Sequence, residues 1–186
     1  MALNSDNVRV AVTGAWYTGP LTAPAPTSAS SALAAPTPGP GFDDLGYVGD
    51  DGITETRDRS TNQIRAWQNG ALVREPVTES SIQYKGTLLE TTKGTLETYY
   101  GVTVAADGSV KIDPSKTGGR KQHVIDIIDG EDLIRIYVPS GEITEVGDQV
   151  FASGEAIGYE ITVTGYAVTV DGESYSAIKW YSALAE

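Results

Sequence analysis

TESSIQYKGTLLETTKGTLETYYG, residues 78–101, changes its hydrophobic period half-way along, and that change decides the fold class. Up to about residue 90, Ile82, Tyr84 and Leu88 alternate with Gln83, Lys85 and Thr87. Successive side chains of a strand point to opposite faces, so 81–90 reads as a strand with one packed and one polar face. From Thr91 onward, Leu96, Tyr99 and Tyr100 fall at i, i+3 and i+4, with Thr91 or Thr92 available as N-cap and Gly101 as a stop. The spacing predicts a helix over 91–101. Gly94 inside it costs about 1 kcal/mol relative to alanine, so packing must hold the helix in place.

No other stretch has a helical period of that quality. Upstream, LGYVG (45–49), GITETRD (52–58), NQIRAWQ (62–68) and ALVREPV (71–77) are short β-rich runs. Asn69-Gly70 between the last two predicts a hairpin, because both residues tolerate the positive φ of a type I′ turn. VRVAVT, residues 8–13, reads as a first strand. Downstream, Asp107-Gly108, Asp129-Gly130, Gly141, Gly147, Gly154 and Asp171-Gly172 punctuate KQHVIDIID, EDLIRIYVP, AIGYEITVTGYAVTV and ESYSAIKWYS. Gly158 and Gly165 inside the third run mark bends or sheet switches. The expectation is a mainly β sandwich or barrel with one flanking helix. It is read as a single domain over 1–186, a length common for one all-β unit.

Residues 19–41 stand apart, being almost entirely Pro, Ala, Ser, Thr and Gly. Pro20, Pro24, Pro26, Pro36, Pro38 and Pro40 remove backbone donors, and so few large apolar groups cannot offset the entropy of ordering. The segment reads as a mobile loop that a partner orders. A loop this long in a compact domain is usually functional or a linker.

Thirteen Lys and Arg against 25 Asp and Glu leave a net charge of −12, which opposes a stable grip on nucleic acid phosphates or anionic lipid. With no cysteine there is neither a disulfide framework nor a thiol nucleophile. MALNSDNVRVAVTG lacks the basic flank and apolar stretch of a signal peptide, and no run has the length of a membrane span. His123 is the sole histidine, and no G-x-S-x-G elbow accompanies it, so it reads as a strand residue. Asp126, Asp129, Glu131 and Asp132 straddle an expected turn, where Asp and Gly belong for backbone reasons. TGGRK at 117–121 lacks the frame of a phosphate loop. Mixed charges at Glu55, Arg57, Asp58, Arg59, Arg65 and Glu79 read as cross-strand or intersubunit ion pairs rather than a nucleic acid patch. The scattered aromatics, Trp16, Trp67 and Trp180 among them, read as core and interface anchors. Neither a catalytic centre, a cofactor site nor a metal site emerges.

Taken together, DLGYVGDDGIT, IRAWQNGALVR and LLETTKGTLETYYG, preceded by VRVAVTG and a Pro/Ala/Thr loop, resemble the major tail tube proteins of siphophages, especially those infecting actinobacteria. The likeness covers residues 3–102, and GYEITVTGYAVTV resembles that family's closing strands. The resemblance implies a β-sandwich-like, non-enzymatic subunit without cofactors, self-assembling as stacked hexameric rings in the tail of a virion put together in the host cytoplasm. It also implies tape measure, tail terminator and tail tip proteins as partners, with double-stranded DNA as transient cargo and no membrane. An acidic lumen lets DNA slide, having few cations to exchange for phosphate counterions. On this reading the prolines of 20–40 belong to an inter-ring loop ordered on assembly, and the six mixed charges face a neighbouring subunit or the lumen. The rival expectation is a virion or cell-surface β-sandwich binding carbohydrate or a receptor, with calcium in its acidic loops. A hydrolase using paired carboxylates is a third reading, though no residue stands out for it.

Overall fold

A computed structural model describes residues 4–29 and 39–185. Its first strand is β1 (Thr13–Gly19), followed by β2 (Asp43–Asp44) and the long β3 (Val48–Thr61). Next come the short β4 (Ile64–Arg65) and β5 (Leu72–Arg74), then β6 (Val77–Leu88) and helix α1 (Lys93–Tyr100). The C-terminal half supplies β7 (Lys121–Asp129), β8 (Asp132–Val146) and β9 (Tyr159–Gly165). It ends with β10 (Val168–Val170), β11 (Glu173–Tyr175) and β12 (Ile178–Tyr181).

Eight strands form one antiparallel sheet in the order β2-β1-β7-β8-β9-β6-β3, with β12 also on β8. One edge of β8 is divided between two partners: Ile134–Tyr137 pair with β12, and Gly141–Val146 pair with β9. The sheet curls back on itself, because Trp16 of β1 shares a buried cluster with Tyr84 and Leu88 of β6, four places away in the strand order. Gly86 makes that closure possible, since a Cβ there would stand 3.1 Å from the indole. Ile125, Val138, Ile161 and Val163 fill the space between them, all without solvent exposure. Fully burying a side chain of this size contributes about 1.5–3 kcal/mol.

Successive residues of β1, β7 and β8 go to opposite faces. Trp16, Ile125 and Ile136 enter the main core, whereas Tyr17, Val124 and Tyr137 form a second cluster with Phe42, Ile178 and Trp180. These strands are covered on both sides, which is why KQHVIDIID and EDLIRIYVP read as apolar runs rather than alternating ones.

The expected helix is present. Thr92 is its N-cap, accepting from Thr95 N at 3.2 Å, and Gly101 closes it in the left-handed region at φ 65°. Its most deeply buried face is polar, however: Thr95 and Thr98 point inward, and Thr95 Oγ1 donates to Leu45 O, while Leu96 and Tyr99 pack at the margin of the core. Tyr99 and Tyr100 then tie the helix down through their hydroxyls, to Gly147 O at 2.6 Å and Gln149 Oε1 at 2.7 Å.

The expected Asn69-Gly70 turn also forms, with both residues at positive φ and Ala71 N donating to Gln68 O. Two expectations change. VRVAVT is not the first strand: only Thr13 belongs to β1, and Val8, Val10 and Val12 are 60–70% exposed. TGAWYTG takes the strand position because Trp16 and Tyr17 give it a large apolar group for each face. LGYVG and GITETRD are not separate runs, since β3 continues from Val48 through a register shift at Val48/Ile53, with Gly52 at φ 68°. The sheet switch expected at Gly165 is present: AIGYEITVTGYAVTV breaks there, and β10 leaves the main sheet to pair with β11.

Trp16→Ala removes the group that closes the sheet on itself. It is expected to cost about 3–5 kcal/mol of stability, measured as a lowered urea midpoint with an unchanged slope.

Candidate assembly surfaces

β6 is supported on its second edge by β9 only from Ile82 to Leu88. Beyond that point residues 58–81 run on as a two-stranded ribbon of β3 and β6, with the small β4–β5 hairpin at its far end. Both faces are solvent-exposed from Arg57 to Ser81, apart from half-buried Ala66 and Pro76. An isolated two-stranded hairpin is marginal in water. Local bonds stiffen this one: Asn62 N donates to Pro76 O at 3.0 Å, Thr61 Oγ1 to Glu75 Oε1 at 2.9 Å and Thr78 Oγ1 to Ser60 O at 3.2 Å.

The tip of this arm is apolar. Trp67 is 98% exposed, and Ile64, Leu72, Val73 and Val77 are each about half exposed or more. Trp67 is therefore no core anchor: the Asn69-Gly70 turn that bends the chain carries it beyond the body. Five large apolar groups on one protruding element are an unpartnered surface, whereas a single exposed side chain is ordinary.

The mixed charges singled out in the sequence lie on the same arm and at its root. Glu55 pairs with Lys179 and lies beside buried Tyr84, whose phenol is pushed up by burial first and the Glu55 carboxylate second. Among the described residues no ion pair joins two of these charges across β3 and β6. The register sets Arg57 opposite Ile82, Asp58 opposite Ser81, Arg59 opposite Ser80 and Glu79 opposite Ser60. No ion pair among the described residues uses these four charges. Glu55, Arg57, Asp58 and Arg59 line a cleft of about 620 Å³ with Lys179 and Tyr181. Arg65 is apart from them at the tip, donating to Gly70 O and Gln63 Oε1.

Of the proline-rich segment, Pro20, Pro24, Pro26 and Pro40 are described, while Pro36 and Pro38 lie outside the described residues. Residues 21–28 rest on the chain's own sheet. Gln122 Nε2 donates to Leu21 O at 3.0 Å and Ala23 O at 3.1 Å, Arg135 Nη1 donates to Ser28 O at 3.3 Å, and Ala23 and Pro26 are buried. Arg135 is itself buried and forks onto Asp126 at 2.8 and 2.7 Å. Burial raises the Asp126 pKa and the guanidinium opposes that rise. Leu21 and Pro24 still face solvent.

The candidate reactive groups are dispersed. His123 is buried in β7 and accepts from Trp16 Nε1 at 3.4 Å. In the acidic run, Asp126 is held by Arg135, Asp129 accepts from Val10 N at 2.9 Å and Asp132 pairs with Arg9 at 3.0 Å. No group of three or more metal-ligating side chains assembles among the described residues. In the TGGRK loop, Thr117 Oγ1 donates to Glu142 Oε1 at 2.6 Å, and Arg120 lies 4.1 Å over the Tyr166 ring. No described helix is long and apolar enough to cross a membrane.

A model of the family described as "Phage tail tube protein" matches residues 1–184. No curated protein matches the chain. Among solved structures it is similar to a chain of the virion of a native gene transfer agent particle, at 12% identity and TM-score 0.40, covering 76% of this chain and 88% of that one. A second similar chain comes from the tail of an empty gene transfer agent particle with C6 symmetry, at 11% identity and TM-score 0.40, covering 94% of this chain and 98% of that one.

The buried His123 makes stability pH-dependent. Burial, with Lys121 adding to it, lowers the imidazole pKa to about 3. The unfolded chain binds that proton near 6.5, so below 6.5 protons favour the unfolded state and stability falls on acidification towards 3. Between pH 6.5 and 5, above the ordinary carboxylate range, the expected loss is about 1–2 kcal/mol. His123→Gln is expected to flatten that interval in urea titrations at a series of pH values.

Proposed function

The chain belongs to the phage tail tube protein family, and we propose on that premise that it polymerises as stacked hexameric rings forming a hollow tail tube that conducts the genome during ejection. The observation that carries the polymerising part is the arm formed by residues 58–81. It exposes both faces of a two-stranded ribbon and an indole at its tip, a combination that is stable and soluble chiefly when another surface covers it. Residues 1–186 act as one tube-wall unit in this reading, and catalysis plays no part in it. Six copies at −12 apiece give the bore a field that repels phosphates, so DNA passes without being held.

The proline-rich segment has a second place in the same scheme. Its 21–28 portion is anchored on its own sheet by Gln122 and Arg135. Exposed Leu21 and Pro24 are thereby presented to the next ring, while Glu55, Arg57, Asp58, Arg59, Arg65 and Glu79 meet a neighbouring subunit. Tape measure, terminator and tip proteins complete the tail, which is assembled in the host cytoplasm and becomes part of the virion.

The test is direct. Concentrated protein examined by negative-stain electron microscopy is expected to show rings or tubes. Trp67→Asp, at a 98% exposed position, is expected to abolish them while shifting the unfolding midpoint little, since exposed substitutions stay within about 0.5 kcal/mol. Normal tubes from that variant would remove the arm from the joint. Deleting residues 20–40 is likewise expected to stop polymerisation and leave a folded monomer, seen as a retained near-ultraviolet circular dichroism spectrum.

A further inference from the structure

The curled sheet does not close. Among the described residues, β3 is the last strand on one side and has no partner on its outer edge, while on the other side β2 covers β1 only at Tyr17 and Thr18. Leu45 N adds a bond to Trp16 O, which leaves Thr13–Ala15 without a strand on that edge. Between these two edges lies a cleft of about 530 Å³, lined by Val12, Ala15, Tyr47 and Ile53 together with Asp44, Asp50, Glu90 and the Arg135-paired Asp126. That volume lies within the roughly 300–1,000 Å³ of clefts that enclose small ligands, so it accommodates an indole and its neighbours. No Lys or Arg lines it.

The carboxylates are held in place. Glu90 Oε1 accepts from Tyr47 N at 3.0 Å and Asp44 Oδ1 from Gly46 N at 2.9 Å. Gly46, at φ 81°, leaves room where a Cβ would strike the Glu90 carboxyl group. The outgoing strand and tip of the arm have the opposite character: from Arg57 to Arg74 they carry Arg57, Arg59, Arg65 and Arg74 against Asp58, while Glu75 and Glu79 lie on the returning strand, in a chain whose net charge is −12.

We infer that the arm of one copy docks in this seam of a second copy, Trp67 and its apolar neighbours entering the cleft and the arginines meeting Asp44, Asp50 and Glu90. The inference rests on the tube reading and names the surface that its arm occupies. The occupant is a second copy for a reason of length: eight residues of strand, roughly 26 Å at 3.3 Å each, separate Ile53 in the cleft from Thr61 near the tip, so an arm cannot reach its own seam. Unpaired backbone groups on both edges are natural acceptors for an added strand. Charge complementarity selects the partner and orients it.

Charge reversal and cross-linking test this together. Asp44→Lys with Asp50→Lys, and separately Arg59→Glu with Arg74→Glu, are each expected to lower polymer yield at least tenfold in pelleting and microscopy assays. The quadruple variant is expected to recover it. The chain has no cysteine, so Gln68→Cys and Tyr47→Cys are unambiguous probes. An equimolar mixture, oxidised after assembly, is expected to give a heterodimer joined through 68 and 47. Tubes of normal yield from the groove variant, no recovery in the quadruple variant, or 68–68 links in place of 68–47 links would each overturn the seam assignment while leaving the tube reading intact. Failure of the unmodified chain to polymerise at all would sink the tube reading and the seam contact with it.

Discussion

The contact between Trp16 and the bare backbone of Gly86 is the constraint on which the rest of the structure depends. It joins β1 to β6 across the curl of the sheet, and the buried residues of β7, β8 and β9 occupy the space that this closure creates. Interiors of this density tolerate little change in volume, so the curvature of the sheet and the size of its core are fixed together. The same indole donates to the buried His123, so the sole histidine acts as a packed acceptor in this structure.

Because the sheet curls without closing, it retains two free edges and a seam between them. Because β3 and β6 outrun their neighbour β9, it also retains a ribbon with no core of its own. Both are incomplete features, and edge strands and bare ribbons are features that soluble proteins usually blunt or cover. A tail tube subunit has a reason to keep them: a chain that polymerises needs surfaces that are satisfied only in the polymer. In the proposed contact, the arginines of the arm's outgoing strand and tip meet the carboxylates of the seam.

The proline-rich segment shows how composition and placement separate. Composition alone predicts a mobile stretch, since few apolar groups oppose the entropy of ordering. Backbone carbonyls nevertheless serve as acceptors whatever the side chains are. Gln122 and Arg135, fixed in the sheet and by Asp126, hold 21–28 through such carbonyls. Partners contributed by residues about 100 positions away leave no trace in the local sequence.

The sequence by itself determined the local elements: the strand-to-helix change at 81–101, the Thr92 cap and Gly101 stop, the Asn69-Gly70 turn, the mainly β class and the family likeness. Period, capping and turn chemistry are properties of neighbouring residues, and the sequence displays them. Tertiary structure alone decided the rest. It placed the first strand at TGAWYTG, because two faces were waiting for Trp16 and Tyr17, whereas Val8, Val10 and Val12 had none. It left Trp67 outside while Trp16 went in, although both are tryptophans in β-rich stretches, since exposure depends on which strands extend past their neighbours. Register likewise set Ile82, Ser81 and Ser80 directly across from Arg57, Asp58 and Arg59, so none of these three charges has a charged residue opposite it. Pairing, curl and register are relations between distant segments, and a one-residue slip in any of them turns a core face to solvent.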